Sequence, residues 1–248
     1  MKETAPAETR PLDAPTGPDR CSLVASALSH DLRAPLRAID GFARALMRSS
    51  EAKLDATELG YLQRIIDANR RADGLIDALV AWLRVDGLPM RPGEADVGFL
   101  ADWAAAELTD RNPQRSADID IQPGLMAHGD DALLRQLMQL LLANAWAFAG
   151  PDNASVHVRL RGHRDGGGLH LELADQGIGF DMAYADRLFQ PFSRLHAPEE
   201  GAGHGLGLAR AHAIVARHGG TISLESAPGA GTRVHLFLPD SVHGEVPW

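Results

Sequence analysis

The sequence predicts an α + α/β protein: a helical-hairpin dimerisation domain that forms a four-helix bundle, followed by a two-layer α/β sandwich. Two long helical periodicities, a Pro/Gly-rich break after them, and alternating strands mixed with helices beyond the break predict it. Between Cys21 and about Ser49, the residues Leu28, Leu32, Pro35, Ile39, Phe42 and Leu46 recur at spacings of four and three, a helical seam that Leu36 and Ala43 widen into a face. Pro35 inside that pattern implies a local kink, because it removes a backbone donor and crowds the preceding turn.

Asp55 and Thr57 offer caps for a second helical pattern through Leu59, Leu62, Ile66, Ile76, Val80 and Leu83, with Ile65, Leu75, Leu79 and Trp82 on an adjacent stripe. A hairpin of two such helices cannot bury two broad apolar faces alone, and pairing with an identical hairpin covers them. The hairpin is assigned residues 20–86, after a Pro-, Ala- and Thr-rich leader at 1–19. A linker at 87–92 follows, inside the Asp86 to Gly93 segment with its two prolines and two glycines.

Residues 93–240 form the sandwich and 241–248 a tail. Helices are expected at Val97 to Leu108, Asp131 to Phe148 and Gly207 to His218. Strands are expected at Ile119 to Ile121, Ser155 to Leu160, Leu169 to Leu173, Thr221 to Glu225 and Arg233 to Leu238. Residues 180–204 fit no continuous element, and their length suggests a functional loop.

Composition excludes several classes. Among 248 residues, 33 acidic against 24 basic side chains give a formal charge of −9, which opposes non-specific binding to nucleic acid or to an anionic membrane. Cys21 is the single cysteine and cannot form an internal disulfide or a thiolate cluster. No stretch reaches the roughly 18 apolar residues of a membrane span, so the chain is expected to be cytoplasmic, without membrane insertion, and any sensing at a membrane would fall to a separate sensor protein.

Four segments offer chemistry. His30 sits with Ser29, Asp31 and Arg33 in an otherwise apolar-periodic helix; Asp31 could orient the ring and leave one nitrogen free for attack on phosphorus, although a surface polar cluster accounts for the same residues taken alone. Asp175 leaves a strand directly before Gln176, Gly177, Ile178 and Gly179, where a carboxylate can accept from an exocyclic amine; an ordinary turn is the alternative. Gly203, Gly205 and Gly207 precede a helix whose N-terminal amides can neutralise phosphates, or they form a simple hinge. Asn144 stands in a strongly apolar helix, where either a phosphate-bound Mg²⁺ or the backbone could satisfy its amide. His218, before Gly219 and Gly220, reads as a helix C-terminal residue near a cap. The histidines lack the spacing of a helical zinc site.

Taken in order, these segments resemble the histidine kinase core, closest to the kinase modules of phytochrome-like sensors. The run Ser29-His30-Asp31-Leu32-Arg33-Ala34-Pro35 resembles the H box, Leu142-Ala143-Asn144-Ala145 the N box, and Asp175-Gln176-Gly177-Ile178-Gly179 the first glycine box. Leu188 to His196 resembles the F box, and Gly203 to Ala209 with His218-Gly219-Gly220 the second glycine box and its helix. The likeness covers roughly residues 20–239.

The resemblance implies an ATP-binding sandwich and a kinase that phosphorylates its own His30, with Asp31 as base or orienting partner, then passes the group to an aspartate on the receiver domain of a response regulator. It implies ATP and Mg²⁺ as cofactors, with Asn144 holding the metal, Asp175 reading the adenine amine, Gly177 and Gly179 shaping the adenine floor, and Gly203, Gly205 and Gly207 turning around the phosphates. Residues 187–204 would be the lid, coupled to the hairpin by Phe189 and Phe192. Leu140 and Ala147 replace polar positions usual in the N box, His204 stands where a small hydroxyl residue is frequent, and Ala34 replaces a Thr or Asn found in many relatives that also dephosphorylate their partners. A homodimeric kinase is therefore expected, against two alternatives: a weakly active or inactive signalling scaffold of the same fold, and an ATP-driven clamp like those of related chaperones, which would leave the H box unexplained.

Overall fold

The computed structural model describes residues 18–50, 54–87, 89–150, 155–194 and 203–241, with the side chains of 18–28, 50 and 186 left aside. Most of the leader, the tail beyond Ser241, the Cys21 side chain and residues 195–202 of the expected lid, His196 among them, lie outside that description.

The hairpin consists of α1 (Pro18–Ser50) and α2 (Ala56–Arg84). The helix α1 continues through Pro35, so the proline does not end it. Asp55 starts α2 with a capping box: its carboxylate accepts from the Glu58 amide at 2.8 Å while the Glu58 side chain accepts from the Asp55 amide at 2.8 Å. Ala43 of α1 and Ile66, Ile76 and Val80 of α2 are buried between the helices. The seam itself points outward, with Leu32, Ile39, Leu46 and above all Phe42, 73% exposed, facing away. Arg33 of α1 pairs with Asp77 of α2.

Beyond the hairpin come β1 (Pro92–Asp96), α3 (Val97–Arg111), β2 (Ala117–Ile121), β3 (Met126–Asp130), α4 (Asp131–Ala147), β4 (Val156–Asp165) and β5 (Gly168–Asp175). A 3-10 turn (Met182–Tyr184) leads into the single turn α5 (Ala185–Leu188), and α6 (Gly207–Arg217), β6 (Thr221–Ser226) and β7 (Thr232–Pro239) complete the domain. Five strands form one sheet in the order β2-β4-β5-β7-β6, parallel between β2 and β4 and antiparallel elsewhere. The strands β1 and β3 pair as a separate antiparallel ribbon that the sequence reading did not contain, and Pro92, expected in the linker, is its first residue.

Strand alternation sorts the sheet into two faces. Val156, Val158 and Leu160 of β4, Leu169, Leu171 and Leu173 of β5, and Val234, Leu236 and Leu238 of β7 all point inward. They meet the apolar stripe of α4, where Leu134, Leu137, Leu141 and Leu142 are almost fully buried. The result is the two-layer sandwich expected, with α3, α4 and α6 over one face of the sheet. Hairpin and sandwich meet where the Arg217 guanidinium donates to the Val85 carbonyl and α2 touches α6.

Candidate nucleotide site

The chain bends sharply where β5 ends, and the bend is built around one carboxylate. Asp175 Oδ1 accepts from the Gly177 amide at 2.8 Å and from the Thr232 amide at 3.1 Å. No described residue donates to Oδ2, which leaves that oxygen available as an acceptor. Burial pushes the carboxyl above the ordinary carboxylate range, and the two amides pull it partway back. The glycines close the turn against other backbone. Gly179, at φ 60°, leaves no room for a Cβ, which would stand 2.0 Å from the Ala227 carbonyl oxygen, and the Ile178 amide donates to the Phe148 carbonyl at 2.9 Å.

Asp175 lines a cavity of about 320 Å³. Its walls come from α4 through Leu140, Ala143, Asn144 and Ala147, from the first glycine turn through Gly179 and Phe180, and from the chain around α6 through Gly203, His204, Gly205, Gly207 and Arg210. Asn144 is half-buried, and its side chain makes no hydrogen bond to a described residue. An unpaired amide oxygen in a cavity wall fits a hard cation, whereas Leu140 and Ala147 present only hydrocarbon. The N-cap of α6 is Leu206, which makes no side-chain capping bond, so the first amides of the helix are not engaged by a cap.

Of the three glycines before α6, Gly205 is the constrained one: φ is 72°, and a Cβ would stand 2.8 Å from the Ser193 carbonyl oxygen. A Cβ on Gly203 or Gly207 would meet nothing within 4 Å. Beside Gly205 lies Phe192, the single described non-glycine residue at positive φ, at 63°. Phe189 packs its ring 5.5 Å from that of His212 on α6, and Phe192 is exposed. The hairpin reaches the cavity through Ala78 of α2 and meets His204, whose ring lies over Gly74.

The sequence-predicted residues thus fall into two groups. Asn144, Asp175, Gly179, Gly203, Gly205 and Gly207 surround one cavity, with Gly177 holding Asp175 from behind. His30 and Asp31 are elsewhere, on the open side of α1: their side chains are 79% and 82% exposed, and His30 Nδ1 lies 3.2 Å from Asp31 Oδ1. Thr232 and Gly231 belong to the site as well, the first as donor and the second as a turn whose Cβ would stand 2.0 Å from the Asp175 carbonyl oxygen. The Gly231-Thr232 pair before the last strand is the sequence signal for them. Among the described residues no cluster of His, Cys, Asp and Glu could hold a metal ion, and no helix is long and apolar enough to cross a membrane.

Comparison with known proteins supplies the context. The profile of the His Kinase A (phospho-acceptor) domain matches residues 22–86, and that of the histidine kinase-, DNA gyrase B- and HSP90-like ATPase matches residues 129–242. The phytochrome-like protein Cph1 of Synechocystis is 34% identical over 214 residues, which are 85% of this chain and 28% of that protein. The sensor histidine kinase TrcS of Mycobacterium tuberculosis is 34% identical over 211 residues, 81% of this chain and 40% of its own. Full-length ShkA in complex with AMPPNP superposes with a TM-score of 0.65 at 23% identity, covering 92% of this chain and 47% of that one, a likeness of fold. The chain therefore spans well under two thirds of each of these relatives.

Proposed function

The chain belongs to the histidine kinases, carrying both the phospho-acceptor hairpin and the ATPase sandwich of that family, and on that premise we propose that it phosphorylates His30 from Mg-ATP and hands the phosphoryl group to an aspartate on a response-regulator receiver domain. The observation that carries this reading is the joint presence of an exposed His30 beside Asp31 and of a cavity with a free Asp175 Oδ2 at its floor.

An Nδ1–H donated to Asp31 leaves the lone pair of Nε2 unshared and pointing to solvent, the form of imidazole that attacks phosphorus. Asp175 Oδ2 would accept from the adenine amine, and the start of α6 would face the phosphates. Asn144 would hold the Mg²⁺, which when bound neutralises phosphate charge and orients the terminal group. His30 then attacks the terminal phosphorus in line, the bond to the ADP oxygen breaks, and the phosphohistidine later yields its group to the receiver carboxylate. Since His30 does not line the cavity, it must meet a nucleotide brought to it by movement of the sandwich or held by the partner protomer in a homodimer.

Incubation of the chain with γ-labelled Mg-ATP tests this. Acid-labile, alkali-stable label is expected on the wild type and none on His30→Gln, which should still bind nucleotide because the acceptor is outside the cavity. Asp31→Asn is expected to slow labelling by about 10²- to 10⁴-fold through loss of base or orientation. Nucleotide binding without label would favour the inactive scaffold, to which the apolar Leu140 and Ala147 in the cavity wall already point.

A further inference from the structure

Several arginines of this protein are answered by acids. Arg33 pairs with Asp77, Arg44 with Asp40, Arg161 with Asp120, and each of these pairs is at or near the surface. Arg210 is different. It lies in the first turns of α6, half-buried, and no carboxylate among the described residues pairs with it. One terminal nitrogen donates to the Gln136 side-chain oxygen, while the buried Nε has no hydrogen-bond partner. Burial works against its charge and pushes its pKa down. A half-buried cation with an unpartnered donor costs stability, and an anion bound beside it would relieve that cost.

Its position says where that anion comes. Arg210 lines the cavity beside Leu140 and Ala143, and the same three residues line a smaller depression next to it. Asp175 belongs to the other end: Ile178, just past it, bonds to Phe148 at the foot of α4, and Leu140 is eight residues back along that helix, about 12 Å at 1.5 Å per residue. Acid and cation thus stand at opposite ends of one cavity, with Asn144 between them on α4.

We infer that Arg210 is the phosphate-binding cation of this site, reaching from α6 over Leu140 to contact the phosphate chain of a nucleoside triphosphate whose base is held by Asp175. The inference rests on reading the cavity as the nucleotide site. It also gives Gln136 a role: the amide oxygen holds the guanidinium in place while the site is empty, and a neutral acceptor releases it more easily than a carboxylate would.

Calorimetric titration of the full chain with Mg-ATP and with adenosine separates the outcomes. Arg210→Met should weaken Mg-ATP binding by about 10- to 100-fold, the worth of one or two charge-assisted bonds, and leave adenosine affinity unchanged. Arg210→Lys, keeping a charge at the same place, should recover part of the ATP affinity. A wild type that binds ATP while Arg210→Met binds it equally well overturns the inference, and so does a variant that loses ATP and adenosine in the same proportion, because Arg210 would then only hold α6 against α4. A wild type that binds neither ligand removes the nucleotide reading, and this inference with it.

Discussion

Gly74 of α2 lies directly beneath the imidazole of His204, so close that a Cβ on the glycine would stand 2.6 Å from Nε2. A glycine in a helix interior costs about 1 kcal/mol relative to alanine, and at Gly74 that cost makes room for a residue 130 positions away. Burial, followed by the nearby Arg194 charge, lowers the His204 pKa and keeps the ring neutral against the hairpin. The contact ties the chain just before α6 to the helix that also lends Ala78 to the cavity wall.

Gly74→Ala should therefore show two opposed effects. The added methyl raises helix propensity but displaces the His204 ring, so the single variant should gain clearly less than about 1 kcal/mol in urea denaturation. In a His204→Ala background the same change should deliver the full gain. A double-mutant cycle with no coupling between the two positions would mean that the ring does not rest on α2 in solution.

Asp175 should trade stability for recognition. Its folded pKa is raised by burial, so ionised Asp175 opposes folding: its contribution is most favourable at acid pH and is lost as pH rises through the raised value. Asp175→Asn removes that charge and keeps an oxygen for the Gly177 and Thr232 amides. The variant should melt higher than wild type at pH 7.5, yet lose selectivity for adenine over guanine nucleotides in competition binding. A lower melting temperature would show that the two amides need the full carboxylate charge.

Elements whose signal is periodic were legible in the sequence. The helix expected at Asp131 to Phe148 forms as α4 to within a residue, because Leu134, Leu137, Leu141 and Leu142 alternate at helical spacing and all face the core. The ribbon of β1 and β3 was not legible, because Pro92 and Gly93 read as breakers and Met126 to Asp130 lacks β-branched residues. Backbone partners and the buried Asp130 carboxylate, which accepts from the Arg91 amide at 2.8 Å, make strands there.

The candidate site divides in the same way. Asn144, Asp175 and the glycines announce themselves as polar or flexible residues at the ends of apolar elements. Arg210 and Gly74 are ordinary residues on helices, and what distinguishes them is a buried, unpartnered nitrogen in one case and a distant ring in the other. Neither can be read without the third dimension.

The outward seam of α1 predicts the oligomeric state. Leu32, Ile39, Phe42 and Leu46, joined by Tyr61 and Ile65 of α2, leave an apolar face that a second hairpin would cover. Light scattering should return about twice the 26.6 kDa chain mass. Phe42→Glu removes a large apolar contact twice in a symmetric interface, at about 1.5–3 kcal/mol each, and should raise the dimer dissociation constant by at least 10²-fold. A wild type that stays at 26.6 kDa at micromolar concentration would leave the seam without its partner.

His218 makes the stability of the sandwich pH-dependent. It is 1% exposed, its Nδ1 bonds to the Ile214 carbonyl at 2.7 Å, and its Nε2 accepts from the Asp130 amide at 3.0 Å, so one neutral ring joins the end of α6 to the junction of β3 and α4. Burial lowers its pKa, with the Ile214 bond and the Asp130 charge acting the other way. The unfolded chain takes up a proton near pH 6.5 that the folded ring resists, so stability should fall as pH drops below about 6.5, by at most about 1.4 kcal/mol per pH unit for this one proton. His204, also lowered, adds in the same direction, so the comparison is made in a His204→Ala background. There, His218→Gln should be less stable at pH 8 by about 2–3 kcal/mol, through the lost bonds and imperfect packing, and its stability should change less between pH 8 and 5.5. Urea titrations at the two pH values give both numbers, and equal slopes in the two proteins would mean that some other group takes up the proton on unfolding.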